Sequence, residues 1–212
     1  MPSGNLYPPG SVAGLILAGG RGTRMGAGVP KPLLLLGART LLAHVRARLT
    51  PAIAPVLLSA NDADAFADTG MPVIADRVRG FAGPLAGLDA AAAFLSAHAP
   101  PATHLLMLPG DTPFLPPDLV PRMLEERRGA VRVARYAGVL QPTVTLWPLA
   151  VLNDLGGFLG SPGKHAIRGF LDQTGFDPVD FPSDDAAPGG DPFFNVNTPL
   201  ELALARSAEA RR

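Results

Sequence analysis

The 212-residue chain contains no cysteine. That excludes a disulfide framework, a thiolate metal site and a cysteine nucleophile. Net charge is missing as well, since 18 basic and 18 acidic residues cancel. Without a basic field a nucleic-acid duplex is not an expected partner, because phosphate neutralisation supplies most of that affinity. No apolar run approaches the ~18 residues that a membrane span needs. The Pro- and Gly-rich residues 1–11 lack the basic region of a secretory signal. No GxSxG elbow supports a serine hydrolase. His44, His98, His104 and His165 are scattered without ligand spacing and read as structural or surface residues. A hydrophobic content of 47% excludes a disordered chain. The expectation is a loose tail at 1–11 and one soluble, cytoplasmic domain at 12–212, with no membrane partner.

Short apolar runs alternate with amphipathic stretches, which predicts an α/β domain. Strands are expected at 12–17, 56–58, 72–74, 105–108, 131–136 and 143–146. Helical stripes run through Leu41, Leu42, Val45 and Leu49, through Leu85, Leu88, Ala92 and Leu95, and through Leu119, Val120, Met123 and Leu124. A short helix is expected at 166–171 and a final one from Pro199. The segment 183–192 reads as a flexible loop by composition. The fold class is a single-domain Rossmann-like three-layer arrangement, with a mostly parallel sheet and helices on both faces. Ligands of such sheets sit beyond the carboxyl ends of the strands.

Three motifs fall at those ends. The stretch Leu17-Ala18-Gly19-Gly20-Arg21-Gly22-Thr23-Arg24-Met25-Gly26 follows the first strand. A glycine-rich turn there can present bare backbone N–H groups to an anion. Arg21, Arg24 and Lys31 add positive charge, a combination suited to a di- or triphosphate. The spacing is neither a Walker loop nor a dinucleotide fingerprint. Asp76 follows the strand at 72–74, and Asp111 follows 105–108. Asp111 is either a Mg²⁺ ligand opposite the phosphate loop or a turn-capping carboxylate before Pro113.

Downstream, Thr198-Pro199-Leu200-Glu201 forms a capping box with proline at the first helical position. Asn195 and Asn197 flank Val196, so in an extended segment both carboxamides point to one side, toward a ligand or a metal. Gly83-Pro84-Leu85-Ala86-Gly87 reads as a turn introducing a helix. Lys164 and Arg168 share a helix face, which is either solvated or a receptor for a second anionic substrate.

Taken in order, these segments resemble the MobA-type molybdenum cofactor guanylyltransferases of the nucleotidyltransferase superfamily. The resemblance rests on LAGGRGTRMG at 17–26, Lys31, Ala75-Asp76, GPLAG at 83–87, Asp111-Thr112-Pro113, Gln141-Pro142-Thr143 and NVNTPLEL at 195–202. It implies Mg²⁺-dependent transfer of GMP from GTP to the terminal phosphate of molybdopterin, releasing pyrophosphate. It further implies that Leu17, Ala18, Gly19 and Gly20 line the nucleotide and that Arg24 and Lys31 act on its phosphates. Ser59 would lie in the segment that contacts the base, Asp76 would contact the nucleotide, and Asp111 would bind Mg²⁺ together with Asn197. Gln141, Lys164, Arg168 and Asn195 become candidates for the molybdopterin side, and cofactor insertion and delivery proteins become further partners. The chain departs from the family pattern in having Pro30 before Lys31 and Ser59 where an asparagine is frequent. A CTP-using or other-acceptor nucleotidyltransferase, a catalytically silent nucleotide-binding module and an adaptor remain as alternatives.

Overall fold

A computed structural model of the chain describes residue 8 and residues 10–19, 28–49, 53–77, 83–98, 101–125, 129–161 and 166–211. In chain order the elements are β1 (Val12–Leu17), β2 (Leu35–Leu36), β3 (Arg39–Thr40), α1 (Leu41–Arg46), β4 (Ile53–Ser59), β5 (Val73–Ile74), α2 (Pro84–His98) and β6 (His104–Pro109). They continue with α3 (Leu119–Met123), β7 (Val131–Tyr136), β8 (Val139–Pro148), α4 (Leu155–Gly160), α5 (Ile167–Thr174), β9 (Phe176–Phe181) and α6 (Pro199–Glu209). Seven strands form one sheet in the order β5-β4-β1-β6-β8-β7-β9, and β2 and β3 form a separate hairpin. Only β8 runs against the others in the large sheet. Among the described residues, no helix is long and apolar enough to cross a membrane.

The unbroken apolar character of β1 and β6 follows from burial on both faces. Val12, Ile16, Leu106 and Leu108 pack toward α1 and α3, among Leu42, Val45, Leu119 and Met123. Ala13, Leu15, Leu105 and Met107 point the other way, toward Leu88 and Leu95 of α2, Leu155 of α4 and Phe170 of α5. Trp147 of β8 stacks on Phe170 with ring centroids 5.5 Å apart. Each fully buried leucine or phenylalanine contributes ~1.5–3 kcal/mol relative to exposure. The two layers therefore hold the sheet as a rigid platform for the loops at its carboxyl edge.

The expected strand at 143–146 is the centre of a longer one, β8, which extends to Val139–Pro148. β9 escapes the apolar pattern because Asp177, Pro178 and Asp180 interrupt it. It is an edge strand, where a proline without an N–H is tolerated. The segment 183–192 is folded rather than loose. Asp184 N donates to Gly190 O at 3.0 Å, Ala187 N to Asp184 O at 2.8 Å, and Ala186 N to the Asp184 carboxylate at 2.9 Å. Asp and Gly build tight turns as readily as they permit disorder, so composition alone misleads there. Ser11 is likewise tied down: its N–H and hydroxyl both donate to Pro8 O, at 3.0 and 2.7 Å.

A third core cluster stands apart from the sheet. Leu202, Ala205 and Ala208 of α6 pack with Leu36, Leu41, Phe114, Ala187 and Val196. His44 of α1 closes this region by donating from Nε2 to Leu36 O at 2.9 Å. The cluster brings α6 and the residues just before it against the β2–β3 hairpin and the loop after β6.

The glycine ending GPLAG has a packing role. A Cβ on Gly87 would lie 3.0 Å from Ser59 Cβ and 3.1 Å from Leu17 Cδ2, and closer still to Ser59 Oγ. α2 thus crosses the ends of β1 and β4 at a distance that only glycine permits. Gly87→Ala should destabilise the fold by about 1–3 kcal/mol through overpacking, and adding Ser59→Ala should recover part of the loss. Thermal unfolding of the two variants checks this.

Candidate active site

Because β1, β4, β5 and β6 are parallel, the segments leaving them emerge on one edge of the sheet. Ala18 N donates to Ser59 O at 2.9 Å, and Gly110 N donates to Leu17 O at 2.8 Å. These two bonds continue the ladder one step past the strands. They bring Leu17, Ala18, Gly19, Ser59 and Asp111 to the same edge. A Cβ on Gly110 would lie 2.8 Å from the Leu17 carbonyl oxygen. Glycine is required there for the chain to turn into Asp111.

Lys31 is delivered by a single 3-10 turn, Lys31–Leu33, flanked by prolines. Leu33 N donates to Pro30 O at 2.9 Å, and Pro32 is buried within the turn. Both rings restrict φ, so the backbone under Lys31 is fixed in advance. Pro30, one of the departures from the family pattern, is part of this support.

Asn197 arrives from the other side. Val196 is fully buried, and its N–H donates to Asp111 O at 3.0 Å. Thr198 caps α6 and accepts from Glu201 N at 3.2 Å. The Glu201 carboxylate accepts from Asn197 N at 2.7 Å and from the Thr198 hydroxyl at 3.0 Å. The capping box therefore reaches one residue further back than its usual partner and fixes the backbone of Asn197.

These supports converge on one ammonium group. Lys31 Nζ donates to Asn197 Oδ1 at 2.7 Å and forms an ion pair with Asp111 Oδ2. Both charged side chains are more than four-fifths shielded from solvent. In such surroundings a charge-assisted contact is stronger than a surface pair. Two oxygen donors aimed at one cation also suit a hard divalent ion. Mg²⁺ is commonly held by one or two protein oxygens, with phosphates and water completing the shell. Among the described residues no cluster of three or more His, Asp or Glu could hold a metal.

Asn195 lies one residue before buried Val196 and accepts from the Thr112 hydroxyl, which ties it to the loop after β6. Asp76 stands on the same edge but nearer its margin. β5 and β6 are three strand spacings apart, ~14 Å. Gln141 sits opposite Ala134 near the carboxyl end of β7 and is half-buried. Arg168 is not brought to this group. It pairs with Asp172 at 3.0 Å and lies over the Phe176 ring, at the amino end of β9. Gly20, Arg21, Arg24 and Lys164 lie outside the described residues.

None of the described histidines joins the site. His44 braces Leu36, His98 bonds to Phe94 O, and His104 contacts Thr103. Burial holds the His104 imidazole below its ordinary pKa. The residue that sequence reading missed is Asn61, whose carboxamide engages Asp76. Nothing in its local pattern distinguishes it from an ordinary turn asparagine.

Known proteins resemble the chain in sequence and in fold. The MobA-like NTP transferase domain matches residues 14–177. A molybdenum cofactor guanylyltransferase of Rhizobium meliloti is 39% identical over 213 aligned positions, covering 99% of this chain and 94% of its own. One from Rhizobium leguminosarum bv. trifolii is 42% identical, covering 95% of each chain. The crystal structure of molybdopterin-guanine dinucleotide biosynthesis protein A from Archaeoglobus fulgidus superposes with a TM-score of 0.68 at 21% identity. That superposition covers 94% of this chain and all of the other.

The Gly110 approach yields a direct test. Gly110→Ala forces either the Leu17 carbonyl or the Asp111 backbone to move. The expected result is a folded protein with a lowered unfolding temperature and weakened nucleotide binding, read by thermal unfolding and calorimetry.

Proposed function

The chain belongs to the MobA-like NTP transferase family, and from that premise we propose that it transfers GMP from GTP to the terminal phosphate of molybdopterin. The products are the guanine dinucleotide form of the cofactor and pyrophosphate. One observation carries the site assignment: Lys31, Asp111 and Asn197, from three distant parts of the chain, meet at the carboxyl edge of the sheet. The cytoplasm is the proposed setting, and cofactor insertion and delivery proteins are the proposed recipients.

The reaction joins two anions. A phosphate monoester is largely ionised near neutral pH, so its oxygen can attack the α-phosphorus in line without a general base. That agrees with the distance of the described histidines from the site. What the protein must supply is position and charge. Leu17, Ala18 and Gly19 line the nucleotide at the end of β1, and Gly20, which follows them in sequence, shares that role. Asp76 faces its nucleoside end, while the Ser59 hydroxyl is buried against Gly87 of α2. Lys31 and Arg24 bind the phosphates and neutralise charge developing on the leaving pyrophosphate. Asp111 and Asn197 would hold Mg²⁺, which supplies Lewis-acid neutralisation of the phosphate oxygens when bound. Gln141, Asn195 and Lys164 remain the candidates on the molybdopterin side, while Arg168 is engaged by Asp172 and the Phe176 ring.

Transfer of label from α-labelled GTP to molybdopterin, with CTP in parallel, tests the reading. GTP-selective transfer is expected, and CTP-selective transfer would overturn it. Lys31→Ala and Asp111→Ala should remain folded with a lowered unfolding temperature and lose on the order of 10²–10³ in rate, the usual scale for one preorganised charge contact. A near-wild-type rate in either variant removes its assigned role.

The Lys31 ammonium already satisfies Asp111 and Asn197, so it competes with an incoming metal. Lys31→Met should therefore bind Mn²⁺ more tightly than the wild type in the absence of nucleotide. Paramagnetic resonance of free Mn²⁺ gives the measurement.

A further inference from the structure

Asn61 stands two residues past β4, and Asp76 stands two residues past β5. Their contact is reciprocal. Asp76 N donates to Asn61 Oδ1 at 3.0 Å, and Asn61 Nδ2 donates to Asp76 Oδ2 at 3.0 Å.

The two bonds do different things. Leu58 N donates to Pro72 O at 2.9 Å and Ala60 N to Ile74 O at 3.0 Å, so these backbone bonds join β4 to β5. The Asn61 carbonyl oxygen then takes the place of the next rung by accepting from Asp76 N. That half is sufficient to tie the strand ends together. The bond from Nδ2 to the carboxylate adds nothing to the ladder. It restricts the rotation of the Asp76 side chain and engages one of its oxygens. Among the described residues, Asp76 Oδ1 accepts from no protein donor.

A half-buried carboxylate held in this way is prepared to accept a hydrogen bond from a ligand. Its charge repels phosphate, so the complementary donor is an N–H or O–H of the nucleoside. We propose that Asn61 is a positioning residue for nucleotide binding, orienting Asp76 so that its open oxygen accepts from the nucleoside of the bound triphosphate. The proposal rests on the reading that Asp76 faces the nucleotide.

Calorimetric titration with GTP and, separately, with pyrophosphate tests it on the wild type, Asn61→Ala, Asn61→Asp, Asp76→Ala and the Asn61→Ala/Asp76→Ala double variant. Asn61→Ala should weaken GTP binding about tenfold, the scale of one hydrogen bond to a charged group. Pyrophosphate affinity should not change. In the Asp76→Ala background Asn61→Ala should cost clearly less than it does alone, because only the bond to the backbone N–H of residue 76 is left to lose. Equal losses in both backgrounds, or an unchanged GTP affinity, would overturn the proposal.

Asn61→Asp separates the two bonds if Asn61→Ala is unstable. It keeps an acceptor for Asp76 N and removes the donor to the carboxylate. The added carboxylate repels Asp76 and phosphate alike, so a loss of GTP affinity larger than the loss of pyrophosphate affinity is expected, and equal losses overturn the proposal. A wild-type protein that binds pyrophosphate but not GTP overturns the guanylyl-transfer reading together with this one. GTP binding that is indifferent to Asn61 overturns this one alone.

Discussion

The ammonium group of Lys31, held between Asp111 and Asn197, is the interaction on which the architecture of the site depends. Its three members lie 80 and 86 residues apart in sequence, and each is brought in by a different device. A proline-flanked 3-10 turn sets Lys31. A glycine that touches the Leu17 carbonyl lets the chain turn from β6 into Asp111. A buried valine and a carboxylate reaching back from α6 set Asn197. None of these devices is flexible, and a chemical step that relies on placed charge requires such rigidity.

The same requirement explains the tight glycines. Gly87 and Gly110 bring backbone against the ends of β1 and β4 at distances that no larger residue allows. In consequence the elements around this edge of the sheet are close-packed. The third core cluster serves the same end from outside the sheet. Packing α6 against the hairpin and Phe114 costs conformational entropy, which burial of eight apolar side chains offsets. The return is a fixed position for residues 195–197.

Much of this was legible in the sequence, for reasons that can be stated. The strands at 12–17 and 105–108 are buried on both faces and carry a strong signal. The residues at their carboxyl ends inherit a position from the fold class, so Asp111 was locatable from Leu105 to Leu108 alone. Asn197 was legible because the capping box accounts for its neighbours and leaves it unexplained. Arg168 shows the limit of such reasoning. Helical spacing identified its face, but the nearest carboxylate and the Phe176 ring decide where the guanidinium lies. β9 and the 183–192 turns were obscured by acidic residues, glycine and proline, whose role depends on tertiary neighbours. Asn61 was invisible for a related reason: its partner is 15 residues away, past the end of another strand.

On the proposed reading, the resting ion pair also bears on how the site stays ready for an anionic substrate. An unpaired charge this well shielded is expensive, and breaking such a pair by removing one partner is strongly destabilising. Arrival of a nucleotide with its divalent ion offers every group a replacement partner. Lys31 exchanges a carboxylate for phosphate, while Asp111 and Asn197 exchange an ammonium for the metal. The number of paired charges does not fall at either end of the exchange. The protein therefore need not keep an orphaned cation or carboxylate in a shielded site, and neither substrate charge enters without a partner. The same logic disfavours metal entry alone, which would displace Lys31 with no phosphate to receive it. It follows that nucleotide and metal assist one another's binding, a coupling that resides in three side chains and requires no movement of the sheet.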